Sequence, residues 1–267
     1  MKKRIQLKNL KMKSLGNRKR KIRVFLPKDY DQSKKDYPVL YMHDGQNLVD
    51  PSSFSGFAWD ILKTMDDSIA YPSGMIIVGI DAHPTKRIQE YSPFLNEEAK
   101  DYIIHKVGVP EKEVVPEAKE YGEFIVKQLK PYIDRHYRTC TDEKNTFIAG
   151  SSCGGIVSIY IGLKYPDIFS VIGAFSPAYW LLKEELFTWI RAQTIPETTL
   201  IYHDMGDLET EMNADVLVDQ REFDHLIKQK INPKNVVMVV DSGAIHNEYY
   251  WALRFRKFYQ LALDHAK

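Results

Sequence analysis

Two kinds of apolar pattern alternate along this chain. Near the amino terminus, residues 5–12 and 21–26 alternate apolar with basic side chains around Leu15-Gly16-Asn17. Strict alternation places the apolar set on one side of a strand, so this segment predicts an amphipathic antiparallel hairpin with one face in water. Further on, residues 38–42, 75–80, 146–149, 171–175, 199–202 and 236–240 form short, continuously apolar runs. Runs of that kind are expected of strands covered on both faces, as in a parallel sheet. Between them lie segments with helical spacing: Tyr121, Phe124, Ile125 and Leu129 share a face, as do Val216, Phe223, Leu226 and Ile227, and then Trp251, Phe255, Phe258, Tyr259 and Ala262. Strand and helix in alternation predict an α/β architecture, a mostly parallel central sheet of about eight strands flanked by helices on both faces. In such sheets the chemistry gathers beyond the carboxyl ends of the strands.

Composition narrows the picture in a few places. With 267 residues, 44% of them hydrophobic, the chain is long enough to bury one substantial core, and a single domain over residues 1–267 is expected. Lys plus Arg (37) and Asp plus Glu (36) nearly cancel, so no global field favours a polyanionic partner. The distribution is uneven, because residues 1–28 carry twelve Lys or Arg and no acid. That excess reads as a solvated, charge-protected sheet edge; no aromatic residue precedes Phe25 to stack on nucleic-acid bases. The two cysteines, Cys140 and Cys153, suggest neither a disulfide scaffold nor a thiolate metal site. The amino-terminal run lacks a signal peptide's hydrophobic stretch, and no run of about eighteen apolar residues occurs, so the expectation is a soluble cytoplasmic protein with no membrane partner.

The strongest chemical signal follows the run 146–149. There the chain reads Gly150-Ser151-Ser152-Cys153-Gly154-Gly155 and passes into the helical stretch 156–164. Gly-x-Ser-x-Gly between a strand and a helix is a nucleophile elbow, in which the serine takes a strained backbone conformation and side chains two residues to either side would collide. Only Ser152 fits that frame. A serine hydroxyl needs a base, and in this arrangement the chain order is serine, then acid, then a histidine after the last strand. His246 meets both conditions, whereas His43, His83, His105 and His136 precede the serine, His203 adjoins a strand, His225 lies in a helical pattern and His265 in the last turn. The orienting acid belongs just after residues 199–202, where Asp204, Asp207, Glu209 and Glu211 all qualify, and spacing does not choose among them. Acyl transfer also needs two N–H donors for the oxyanion: the residue after the nucleophile, Cys153, and one from the loop His43-Asp44-Gly45-Gln46-Asn47, where Gln46 is the nominee. The Cys153 thiol itself reads as a small space-filler. No phosphate loop, His-Glu-x-x-His or Cys-x-x-Cys occurs, so no metal is suggested.

Taken together, Tyr41-Met42-His43-Asp44-Gly45-Gln46-Asn47-Leu48, Arg87-Ile88-Gln89-Glu90-Tyr91-Ser92-Pro93, the elbow, Ser176-Pro177-Ala178-Tyr179-Trp180 and His246-Asn247-Glu248 resemble the putative esterase family of the α/β-hydrolases, with its enterochelin esterases, feruloyl esterases and S-formylglutathione hydrolases. The resemblance runs over about residues 21–263. It implies the α/β-hydrolase fold with little or no cap and no cofactor. It also maps the acid onto Glu209, with Asp207 as runner-up. Cys153 departs from the family, where methionine is frequent at that position. Arg87 and Glu90 are expected to form a buried pair that ties down a loop, and Trp180 either walls the acyl pocket or belongs to the core. The expected reaction is hydrolysis of a small-molecule carboxylic ester, with a non-catalytic binding protein and an acyltransferase as the other readings. Substrate identity and oligomeric state are not legible.

Overall fold

The computed structural model describes residues 4–67, 69–106, 108–209 and 216–267. Its strands are β1 (Ile5–Met12), β2 (Arg18–Phe25), β3 (Val39–His43), β4 (Ile76–Ile80), β5 (Thr146–Ser151), β6 (Val171–Phe175), β7 (Leu200–Gly206) and β8 (Val236–Asp241). They form one sheet in the order β1-β2-β4-β3-β5-β6-β7-β8. β1 pairs antiparallel with β2, and β2 with β4; every other pairing is parallel. This is the predicted α/β-hydrolase sheet with its amino-terminal hairpin.

The described α-helices are α1 (Ile61–Met65), α2 (Arg87–Tyr91), α3 (Glu97–His105), α4 (Ala118–Phe124), α5 (Lys130–His136), α6 (Cys153–Lys164), α7 (Tyr179–Arg191), α8 (Val216–Lys228) and α9 (Glu248–His265). The sheet separates two cores. On one face Tyr41, Val78, Ile148 and Ile172 pack with Tyr121, Ile156, Leu186 and Phe223 from the α2–α8 side. On the other, Leu40, Ile77, Phe147 and Phe175 pack with Ile61 of α1 and with Trp251, Phe255 and Phe258 of α9. Burial on both faces is why β3 to β6 read as unbroken apolar runs.

Three expectations are corrected. β2 begins at Arg18, three residues earlier than the alternating pattern suggested, because Arg18, Arg20 and Arg23 are ion-paired and not solvated. Arg20 is 2% exposed and grips both oxygens of Glu90 at 2.7 and 2.8 Å; Arg18 reaches Glu117, and Arg23 reaches Asp81. β8 is not covered on both faces: it is the far edge of the sheet, with Val240 43% exposed. β7 runs on to Gly206, so His203 and Asp204 belong to a strand and not to the turn after it.

His43, at the end of β3, anchors the next loop. Its Nδ1 is 2.9 Å from the Tyr121 hydroxyl, and burial pushes the imidazole down to about 3. A histidine kept neutral in the fold but titrating near its ordinary 6.5 when unfolded stabilises the protein above pH 6.5, and that contribution is lost as pH falls toward 3. His43→Asn is therefore expected to flatten the stability curve between pH 6.5 and 3 by about 1.4 kcal/mol per pH unit. Denaturant midpoints measured across that range check it; parallel curves for the two proteins would contradict it.

Candidate functional site

The elbow is formed as its sequence predicts. Ser152 lies between β5 and α6 with φ 58° and ψ −126°, a conformation that side chains normally avoid. Its N–H donates to the Phe175 carbonyl at 2.9 Å, and its carbonyl accepts from Gly155 and Ile156 at the start of α6. A Cβ on Gly150 would stand 2.7 Å from the Gly154 carbonyl oxygen, so glycine is obligatory there. Cys153 opens α6, where the first N–H groups of a helix have no intrahelical partner. Burial pushes its thiol up, which keeps it protonated and unreactive.

The loop after β3 comes alongside. Asp44 adopts φ 54° and ψ 45°, its N–H donates to the Tyr91 hydroxyl, and its carboxylate takes two hydrogen bonds from Arg87, at 2.7 and 2.9 Å. A Cβ on Gly45 would meet the Gly79 carbonyl carbon at 2.6 Å, so that glycine serves packing of the loop on β4. Gln46 lies in the following short turn, its side-chain oxygen accepting the Ala82 N–H at 2.8 Å. Arg87 and Glu90 are thus not each other's partners, contrary to expectation: Arg87 holds Asp44, while Glu90 takes Arg20. Both pairs still tie α2 down, one to the loop after β3 and one to the hairpin.

His246 and Glu209 approach from the carboxyl ends of β8 and β7. The His246 Nδ1 is 2.8 Å from Glu209 Oε2. A carboxylate only accepts, so Nδ1 carries the proton and Nε2 is left as the basic nitrogen. Glu209 is 2% exposed. Burial alone would raise its carboxyl, but hydrogen bonds from His246, Ser176 and the Gly206 N–H outweigh it and hold the group below its ordinary value. The other acids have different duties. Asp207 accepts the Gly243 N–H at 2.7 Å, bracing the loop that leads to His246. Asp204 is fully buried against Ser176, Tyr202 and Arg254, and burial pushes it up to about 6. Glu211 lies outside the described residues.

Ser152, Cys153, Gln46, His246 and Trp180 line one cleft of about 510 Å³, together with Asp44, Arg87, Tyr102, Glu248 and Trp251. Trp180 packs edge-on against Tyr102 of α3, so one ring face of the wall comes from a segment that carried no sequence signal. Glu248, directly after the histidine's neighbour Asn247, accepts hydrogen bonds from Asn47 and Ser55 and so fastens the loop after β3 to the start of α9. Among the described residues, no group of three or more His, Cys, Asp or Glu is placed to hold a metal, and no helix is long and apolar enough to cross a membrane.

Residues missed in the sequence include Ser176 and Arg254, both buried behind Glu209. Arg254 did leave a signal: it falls on the apolar stripe of α9 between Trp251 and Phe258, and a cation on a buried stripe requires an acidic partner.

The uncharacterized protein YbbA of Bacillus subtilis is 23% identical over 246 residues, covering 90% of each chain. The ferri-bacillibactin esterase BesA of the same organism is 27% identical over 188 residues, which span 64% of this chain and 58% of BesA. The crystal structure of an IroE-like serine hydrolase from Shewanella oneidensis superposes with a TM-score of 0.74 at 21% identity, covering 97% of this chain and 80% of that one, and so shares the fold. The family described as Putative esterase matches residues 13–259, nearly the whole chain, and this protein belongs to that family, whose reaction class is ester hydrolysis.

Proposed function

We propose that the protein is a serine-dependent carboxylic-ester hydrolase working through an acyl-enzyme intermediate. The observation that carries this reading is the 2.8 Å hydrogen bond from His246 to Glu209, with His246 and the strained Ser152 lining the same cleft. In the proposed reaction His246 Nε2 takes the Ser152 proton as Oγ attacks the acyl carbon. The Gln46 and Cys153 N–H groups stabilise the oxyanion, and His246 returns the proton to the departing alcohol. Water, activated by the same histidine, then attacks the acyl-serine and releases the carboxylic acid. Glu209 holds the imidazole in its productive tautomer and stabilises the imidazolium.

The proposed substrate is a small or medium ester. A cleft of about 510 Å³ is within the usual range for small-molecule sites, and its lining mixes the rings of Phe54, Tyr102, Trp180 and Trp251 with charged groups. A siderophore lactone, a feruloyl or acetyl carbohydrate ester, or a short-chain acyl ester meets that description. The relative BesA, a ferri-bacillibactin esterase by name, favours the first of these.

The identity of the acid is open to a direct comparison. Glu209→Gln, which keeps shape but removes charge, is expected to lower kcat toward p-nitrophenyl acetate by about 10⁴-fold, the scale for loss of a triad carboxylate. Asp207→Asn should keep most of the activity, and the reverse ranking would transfer the role to Asp207. The broader reading is tested with a fluorophosphonate probe: wild-type protein labels at Ser152 and Ser152→Ala does not. Equal labelling of the two would sink it.

A further inference from the structure

Behind Glu209 lies a hydrogen-bond arrangement whose direction is fixed by the chemistry of its members. The Ser176 hydroxyl, fully buried, has three hydrogen-bond partners among the described residues: Trp251 Nε1 at 2.9 Å, Arg254 Nη2 at 2.9 Å and Glu209 Oε1 at 2.7 Å. An indole N–H and a guanidinium only donate, and a hydroxyl has one proton and two lone pairs. The two donors fill both lone pairs, so the Ser176 proton has one destination, the Glu209 carboxylate. The Gly206 N–H also reaches Oε1, at 2.8 Å. One carboxylate oxygen is thereby clamped by two donors, and the other, Oε2, is left for His246.

The serine is itself held. Its φ of 41° lies in the left-handed region, and its N–H is shared between the Asp204 carbonyl and Asp204 Oδ1, each at 3.0 Å. Among the described residues, the charged and titratable groups around the Glu209 carboxylate are His246, Arg254 at 3.7 Å from Oε1, and Asp204, which meets Arg254 at 3.3 Å and Tyr202 at 2.8 Å; Asp241 lies 3.7 Å from Arg254. Ser176 is the uncharged member through which α9 and β7 both act on the carboxylate.

We propose that Ser176 is a positioning residue for catalysis: its hydroxyl, aimed by Trp251 and Arg254, fixes Glu209 so that Oε2 faces His246. The proposal rests on the serine-hydrolase reading above. It predicts a loss in turnover without a loss in substrate binding, since Ser176 is buried behind the acid.

The test compares wild-type protein with Ser176→Ala in steady-state hydrolysis of p-nitrophenyl acetate across pH. Removing one hydrogen bond to a charged group should lower kcat by roughly ten- to a hundred-fold with KM little changed. Glu209 acts on the imidazole through the 2.8 Å His246 hydrogen bond, so a displaced carboxylate changes the proton affinity of the pair. The acid limb of kcat/KM should therefore shift relative to wild type. Ser176→Gly is the second variant, because glycine accepts the positive φ and removes the same hydroxyl, which keeps the test valid should the alanine protein fold poorly. The same loss and the same shift are expected of it. A kcat within about twofold of wild type, a difference too small for a lost hydrogen bond, would overturn the proposal, as would a lower kcat whose acid limb is unmoved. If wild-type turnover survives Ser152→Ala, the failure lies in the hydrolase reading, and the positioning role falls with it.

Discussion

Ser152→Ala is expected to lower kcat toward an activated ester by on the order of 10⁶-fold, while the protein keeps its fold and its thermal midpoint. The size follows from the nature of the step: without Oγ there is no acyl-enzyme, and what remains is water attack assisted by binding and by the two proposed oxyanion donors. The fold should be spared because Ser152 holds its strained backbone through its N–H and carbonyl, to Phe175, Gly155 and Ile156, and none of these bonds involves the hydroxyl. Steady-state rates with p-nitrophenyl acetate measure the effect, and a loss below about a hundredfold would mean that another group carries the reaction.

His246→Ala should cost nearly as much, again on the order of 10⁶-fold in kcat, because a serine hydroxyl without its base is a poor nucleophile. The informative experiment is the double variant. Groups that act as a unit are not additive, so Ser152→Ala with His246→Ala should be no slower than either single change. Multiplicative losses would show that the two residues act independently. The side chain is 14% exposed and packs edge-on beside Trp251, 5.0 Å between ring centres, so circular dichroism of the His246→Ala protein should accompany the rates.

Much of this architecture is legible in the sequence for a physical reason. β3 to β6 are covered on both faces, and a strand with no solvated side has nothing to alternate, so its run of apolar residues is conspicuous. The elbow is legible because sterics admit only glycine at Gly150. His246 is nominated by order along the chain, after the last strand. Polar residues whose partners are remote are less visible. His203 and Asp204 look like turn residues until their partners are known, and those partners, Asp224, Ser176 and Arg254, come from α8, the loop after β6, and α9. The hairpin arginines were misread in the same way: Arg20 is separated by 70 residues from Glu90. Within α2, an Arg and a Glu three residues apart suggest a pair, yet each is drawn to a nearer opposite charge on another element. α3, which supplies Tyr102 to the cleft, buries only Ala99 and Ile103, too few apolar positions to announce a helix.

The central claim, that catalysis passes through an acyl-serine at residue 152, is tested most directly by rapid-quench kinetics with p-nitrophenyl acetate coupled to mass spectrometry of the quenched protein. A burst of p-nitrophenol close to one equivalent per chain is predicted, with a single acetyl group on the peptide that contains Ser152 and none on the Ser152→Ala protein. Linear release without a burst, together with no acetylated peptide under conditions where deacylation is slow, or an acetyl group on a different residue, would contradict it.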